Sequence, residues 1–279
     1  MLFNKQLMVV IDQHDTEYLS LHRAQVIAQR LKCAISVLWL GDSELQPAQL
    51  VEQLQGEGLV ASYQLCPEDS LLPVLKKLWQ EAHFGLLIKT CDPRKRSFFT
   101  SRDNQILREL PCPVLLVKHD NRWENGIVLG AVNPFNDASY QQQLNCGVLT
   151  LANEIALLVH GALHIAVASP SVMMGADSVM QSEELIQQSA RQAMQALLQQ
   201  LEIPVSGIAV GEGPVEYWVP HVANELNASV VVIGTRARGG VKGALIGNTA
   251  ERILHRLNAD VLVMRPGLSA ELMPIIHDA

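Results

Sequence analysis

One stretch of the chain has residue types and spacing suited to holding a ligand. It runs Gly234-Thr235-Arg236-Ala237-Arg238-Gly239-Gly240-Val241-Lys242-Gly243-Ala244-Leu245-Ile246-Gly247-Asn248-Thr249-Ala250-Glu251 and follows the apolar run Val230-Val231-Val232-Ile233. Glycines at the end of a parallel strand permit positive φ and close backbone approach, and the next helix N-terminus offers free N–H groups and a positive dipole end. Such a loop can cradle phosphates. Arg236, Arg238 and Lys242 either pair with those anions or form a solvated basic loop. Asn248 or Thr249 suits the capping position of the following helix, with Glu251 placed for a capping box, a role that requires no ligand. A glycine-rich turn that merely joins strand to helix is the bland alternative for the whole segment.

Other groupings are weaker. Asp12, His14 and Asp15 cluster just past the first apolar run, where open α/β sheets place ligands, and read as a metal site or as a solvated loop. His160 and His164 are separated by Gly161 and read as structural. His221 and Glu225 share one face of the helix expected after Pro214, a spacing common on exposed helices. The chain has no Gly-x-Ser-x-Gly elbow, and Lys242 is followed by Gly243 rather than the Ser or Thr of a Walker loop. With no nucleophile beside an activating base, no catalytic residue and no metal ligand is assigned, and the reading is of a protein that is not an enzyme.

These residues need a scaffold, and the pattern of apolar runs supplies one. Strand-length runs alternate with longer segments of helical period, which implies βαβ units in a parallel sheet. The first half predicts strands at 7–12, 34–40, 60–66, 84–90 and 114–118; the second predicts them at 127–133, 163–169, 205–211, 229–235 and 261–265. Ile106 to Lys118 matches Ile253 to Arg265 at a constant offset of 147 residues, an amphipathic helix, a turn and a buried strand in both. Self-similarity at domain length signals duplication rather than a solenoid. The expected domains are 1–120 and 126–279, joined by a polar, turn-rich linker whose exception is Trp123. The linker is too short to let the halves wander, so they are expected to dock.

Composition bounds the function. Of the 279 residues 48% are hydrophobic and 18% charged, which suits compact α/β folding. A net charge of −7 opposes general nucleic-acid binding; Arg94, Lys95 and Arg96 make only a local basic run. The five cysteines are spread out with no CxxC spacing, so neither a disulfide framework nor a zinc site is suggested and a reducing compartment fits. No secretory or membrane-spanning segment is apparent, and a cytoplasmic protein is expected.

The loop resembles the universal stress protein family, whose motif runs Gly, two residues, Gly, nine residues, Gly, then Ser or Thr. Gly234 and Gly247 fill the outer positions, Ala237 stands at the middle glycine, and Asn248 stands at the hydroxyl position with Thr249 next. The run Gly247-Asn248-Thr249-Ala250-Glu251 is similar to the E-type tandem members. The resemblance implies two tandem Rossmann-like domains of the adenine nucleotide alpha hydrolase-like kind, each an open, mostly parallel five-stranded sheet with helices on both faces. It also implies ATP or another adenine nucleotide in the second domain, held by Asn133, Val167, Gly234, Thr235, Arg236, Ala237, Gly247, Asn248 and Thr249. The family's carboxylate at the end of the first strand corresponds to Asp12 and Asn133. The first half has the acid, but its loop, Thr90 to Thr100, has no glycine and carries Pro93. The implied function is a non-catalytic stress-response protein. The alternatives are an interaction module that binds no nucleotide and a slow nucleotide hydrolase. The implied assembly is an intrachain pseudo-dimer in which strands 114–118 and 261–265 pair, with association of two chains left open.

Overall fold

A computed structural model describes residues 6–91, 101–172, 182–235 and 248–265. The chain divides into two units, Met1–Asp120 and Asn121–Ala279.

The first unit begins with β1 (Leu7–Ile11), whose five residues are all buried. A strand covered on both faces carries an unbroken apolar run, and Leu-Met-Val-Val-Ile is one. Then come α1 (Leu19–Leu31), β2 (Ile35–Leu40), α2 (Leu45–Gly56) and β3 (Ala61–Cys66). A turn of 3-10 helix precedes α3 (Leu71–Ala82), followed by β4 (Leu86–Thr90), α4 (Ser101–Glu109) and β5 (Val114–Val117). The strands order as β3-β2-β1-β4-β5, every neighbouring pair parallel. The edge strand β3 exposes Ser62, Tyr63 and Gln64, as an edge must. Right-handed crossovers put α1 and α2 on one face and α3 and α4 on the other. Two contacts fix the faces: Thr90 accepts from the Ser20 amide of α1, while the adjacent Lys89 meets Asp103 of α4.

The second unit repeats the plan: β6 (Ile127–Val132), α5 (Ser139–Leu158), β7 (Ala162–Ser169), α6 (Glu183–Gln200), β8 (Gly207–Glu212), α7 (Val215–Glu225), β9 (Val230–Gly234), α8 (Asn248–Arg256) and β10 (Asp260–Met264). Its order is β8-β7-β6-β9-β10, again all parallel. The linker residue Trp123 is buried in this unit, and its Nε1 donates to Asp260 Oδ2 at 2.8 Å. An indole brings a large apolar surface and one donor, and burial satisfies both. All ten expected strands form, with ends displaced by no more than two residues.

Candidate functional site

In the second unit the chain leaves β6 toward β7 and leaves β9 toward β10, in opposite directions along the sheet. Loops at such a reversal part and leave a crevice at the carboxyl ends of the two strands. Register places the candidate residues there. Val132 pairs with Val167, and Ala131 pairs with Ile233, so Asn133, Val167, Gly234 and Thr235 lie at one level of the adjacent strands β7, β6 and β9. Asn248 and Thr249 are the first two residues of α8, and Thr249 is exposed. Neither occupies the capping position before the helix. Glu251 faces His255 one turn on, with Oε1 4.0 Å from Nε2. Arg236, Ala237 and Gly247, together with Arg238 and Lys242, lie outside the described residues, as does most of the first unit's loop with Arg94, Lys95 and Arg96.

Each described member has a defined local role. Asn133 is exposed, and its Oδ1 accepts from the Phe135 amide at 3.1 Å. Its backbone is clamped by the buried Asn145 of α5, whose Oδ1 accepts from Asn133 N at 3.1 Å and whose Nδ2 donates to Asn133 O at 2.8 Å. Gln141, one turn earlier on α5, donates to the same Asn145 Oδ1 at 2.9 Å and fixes the amide's orientation. Val167 is fully buried, so its side chain belongs to the core. Gly234 faces α5: a Cβ there would come within 2.6 Å of Leu144, a distance that real Cβ contacts do not show. Thr235 is buried and tied to the end of β10, with its amide donating to Met264 O at 2.8 Å.

The equivalent level of the first unit is filled by charge. Lys89, the penultimate residue of β4, is buried, with Nζ 3.0 Å from Asp12 Oδ2 and 3.3 Å from Asp103 Oδ1. It also donates to Thr90 O at 3.0 Å, giving the ammonium three oxygen neighbours. Burial alone would lower the Lys89 pKa, but the carboxylates of Asp103 and Asp12 outweigh it and hold the group above its ordinary value. Burial alone would raise Asp12; the Lys89 charge and the His14 amide reverse that and hold it below the usual carboxylate range. Asp12 therefore spends one oxygen on His14 N at 2.9 Å and the other on Lys89.

Asp12 and Asp15, which with His14 made the candidate metal group, turn to different parts of the unit. Asp15 turns to the start of α1, accepting from Leu19 N at 2.8 Å and Ser20 N at 3.3 Å, so the two carboxylates serve different partners. No grouping of three metal-binding side chains exists among the described residues. His221 Nε2 and Glu225 Oε1 are 3.5 Å apart on an exposed face of α7, and His160 precedes β7 while His164 lies within it. Lys89 was legible as a charge inside an apolar strand, and sequence reasoning passed over it. Asp103 and Asn145 gave no such signal, because an acid or amide on a helix reads as surface.

The five cysteines are buried and unbridged, and burial pushes the thiols of Cys33, Cys66 and Cys146 up. Among the described residues no helix is long and apolar enough to cross a membrane.

Strand order and parallel pairing define a tandem Rossmann-like α/β protein. The profile of the Universal stress protein family matches residues 148–265. A Pseudomonas aeruginosa UCBPP-PA14 protein assigned to the universal stress proteins, solved as a crystal structure, is 33% identical with a TM-score of 0.81, over 96% of each chain. The chain belongs to the universal stress protein family and has its tandem architecture. Universal stress protein E of Salmonella typhi is 27% identical over 95% of this chain and 96% of its own length. Universal stress protein E of Photorhabdus laumondii is 31% identical over 183 residues, 60% of this chain, and the match spans just over half, 56%, of that relative.

Proposed function

We propose that the chain is a non-catalytic tandem regulator, with domains 1–120 and 126–279, whose second domain binds an adenine nucleotide or a related phosphate-bearing ligand. One contrast carries this reading. At the switch point of the first unit, Lys89 neutralises Asp12 and fills the strand end; at the same level of the second unit stands the apolar Ile233, and Asn133 faces solvent. Among the described residues, charge fills the first of these two strand ends and not the second. The second unit's phosphate cradle would be the loop from Gly234 through Arg236 and Ala237 to Gly247, Asn248 and Thr249. Five buried thiols fit a reducing, cytoplasmic setting.

Titration calorimetry of the intact protein with ATP and with AMP tests the reading. Binding of one nucleotide per chain is expected, abolished in Gly247→Val, where a branched side chain would meet the phosphates. No heat and no thermal shift with either nucleotide would overturn it.

A second reading, an interaction module without nucleotide, is favoured by Gly234 and Thr235. Leu144 packing explains the glycine, and the Thr235 hydroxyl, donating to the Met264 carbonyl at 3.4 Å, explains the threonine, with no ligand invoked. A nucleotide copurifying with the protein would contradict it.

A further inference from the structure

The outer strand of the first unit carries none of the devices that usually blunt an edge. Strand β3 closes one side of its sheet and pairs with β2 alone, in unbroken register from Ala61 to Cys66 and without a bulge. Its backbone groups alternate in direction. Ile35 N donates to Val60 O at 2.8 Å and Gly41 N to Cys66 O at 3.3 Å, so Val60, Ser62, Gln64 and Cys66 turn their backbone groups toward β2. Ala61, Tyr63 and Leu65 therefore turn theirs outward. Gln55 Nε2 donates to Ala61 O at 2.9 Å, and no strand meets the N–H and C=O groups of Tyr63 and Leu65.

Proteins keep such edges from pairing with charge, proline or a bulge. The run Leu59 to Cys66 contains no charged residue and no proline, and Val60 and Tyr63 are 72% and 36% exposed. Charge begins only at Glu57 and Glu68, and both carboxylates are engaged, Glu57 by Gln25 and Gln53 and Glu68 by Arg102. The corresponding edge of the second unit differs. There Gly207 and Gly211 interrupt the side-chain row of β8, and its last residue, Glu212, is an exposed carboxylate.

We infer that β3 is an interaction surface for a second copy of this chain, pairing antiparallel with the same strand across a two-fold axis at Tyr63. That axis sets Tyr63 N–H on the Tyr63 C=O of the second copy and the reverse, and it sets Ala61 opposite Leu65. The two Tyr63 side chains then stand directly opposite, a favourable aromatic pair. Charge selects the occupant. Chains of net charge −7 repel one another, yet this strand brings no charge to the contact, and a strongly charged segment would find nothing on it to answer.

Sedimentation of the intact protein and oxidative cross-linking test this. A single strand pair is a small interface, so the wild type should dimerise weakly, with a dissociation constant of about 10–100 μM. Tyr63→Pro removes an outward N–H and leaves the β2 ladder whole, whereas Tyr63→Lys sets two like charges opposite each other; each should weaken association at least about tenfold. The five native thiols are buried, so an introduced cysteine reports alone. Tyr63→Cys should cross-link to its copy, because Cα atoms about 5.5 Å apart in a directly opposite pair are within disulfide reach. Val60→Cys should not, although Val60 is the more exposed, because the pairing puts it about 20 Å from its copy. A wild type that stays monomeric to about 500 μM, a dimer that both Pro and Lys at position 63 leave intact, or equal cross-linking at the two positions overturns the inference.

Discussion

Removal of the buried ammonium, Lys89→Met, is the sharpest test of how the first unit is held together. The side chains of Lys89, Asp12 and Asp103 are 6%, 14% and 1% exposed, which puts them among buried pairs rather than surface ones. Exposed pairs contribute at most about 1 kcal/mol, whereas truncating one partner of a buried pair costs about 3–5 kcal/mol, because a buried carboxylate loses its counter-charge. Methionine keeps the length of the stem, so the loss is electrostatic rather than a cavity. The pH dependence has a definite sign. In the wild type the lowered pKa of Asp12 is stabilising above the usual carboxylate range, and that contribution disappears as pH falls through the lowered value. The raised pKa of Lys89 contributes at every pH below its ordinary value near 10.4 and is lost only in strong alkali. Without the cation, burial dominates at Asp12 and this carboxylate takes up a proton more readily. The variant's deficit should therefore be largest near about pH 7.5 and narrow toward about pH 4.5. Native-state hydrogen exchange of the β1 and β4 amides reads this unit specifically, and protection should fall by about two to four powers of ten at the higher pH. A deficit below about 1 kcal/mol, or one that does not change between the two pH values, would refute the reasoning.

Two further outcomes follow from packing. Gly234→Ala should destabilise the protein by about 1–3 kcal/mol in urea melts, since the new methyl meets Leu144, and Leu144→Ala in the same chain should return part of the loss; equal damage in both backgrounds would show that Leu144 is not the cause. The five buried thiols should resist a disulfide-exchange reagent at neutral pH in the native protein and all react once it is unfolded in urea, so rapid native-state reaction of any of them would contradict their burial.

What the sequence determined by itself is the scaffold. Apolar runs such as Leu86-Leu87-Ile88 and Val230-Val231-Val232-Ile233 can be buried on both faces only in a parallel sheet, and their repetition, with matching terminal segments, declares the duplication. Both are local in the chain, so they were legible without coordinates. The ion pair of Asp12 with Lys89 and Asp103, the clamp of Asn145 on the Asn133 backbone and the packing of Leu144 on Gly234 were decided only by tertiary structure. Each joins residues from different elements, at a separation set by strand order and by which face a helix covers. Sequence spacing marked Asp12 as an available acid and Gly234 as an available gap. The fold gave the acid a counter-ion and the gap a leucine.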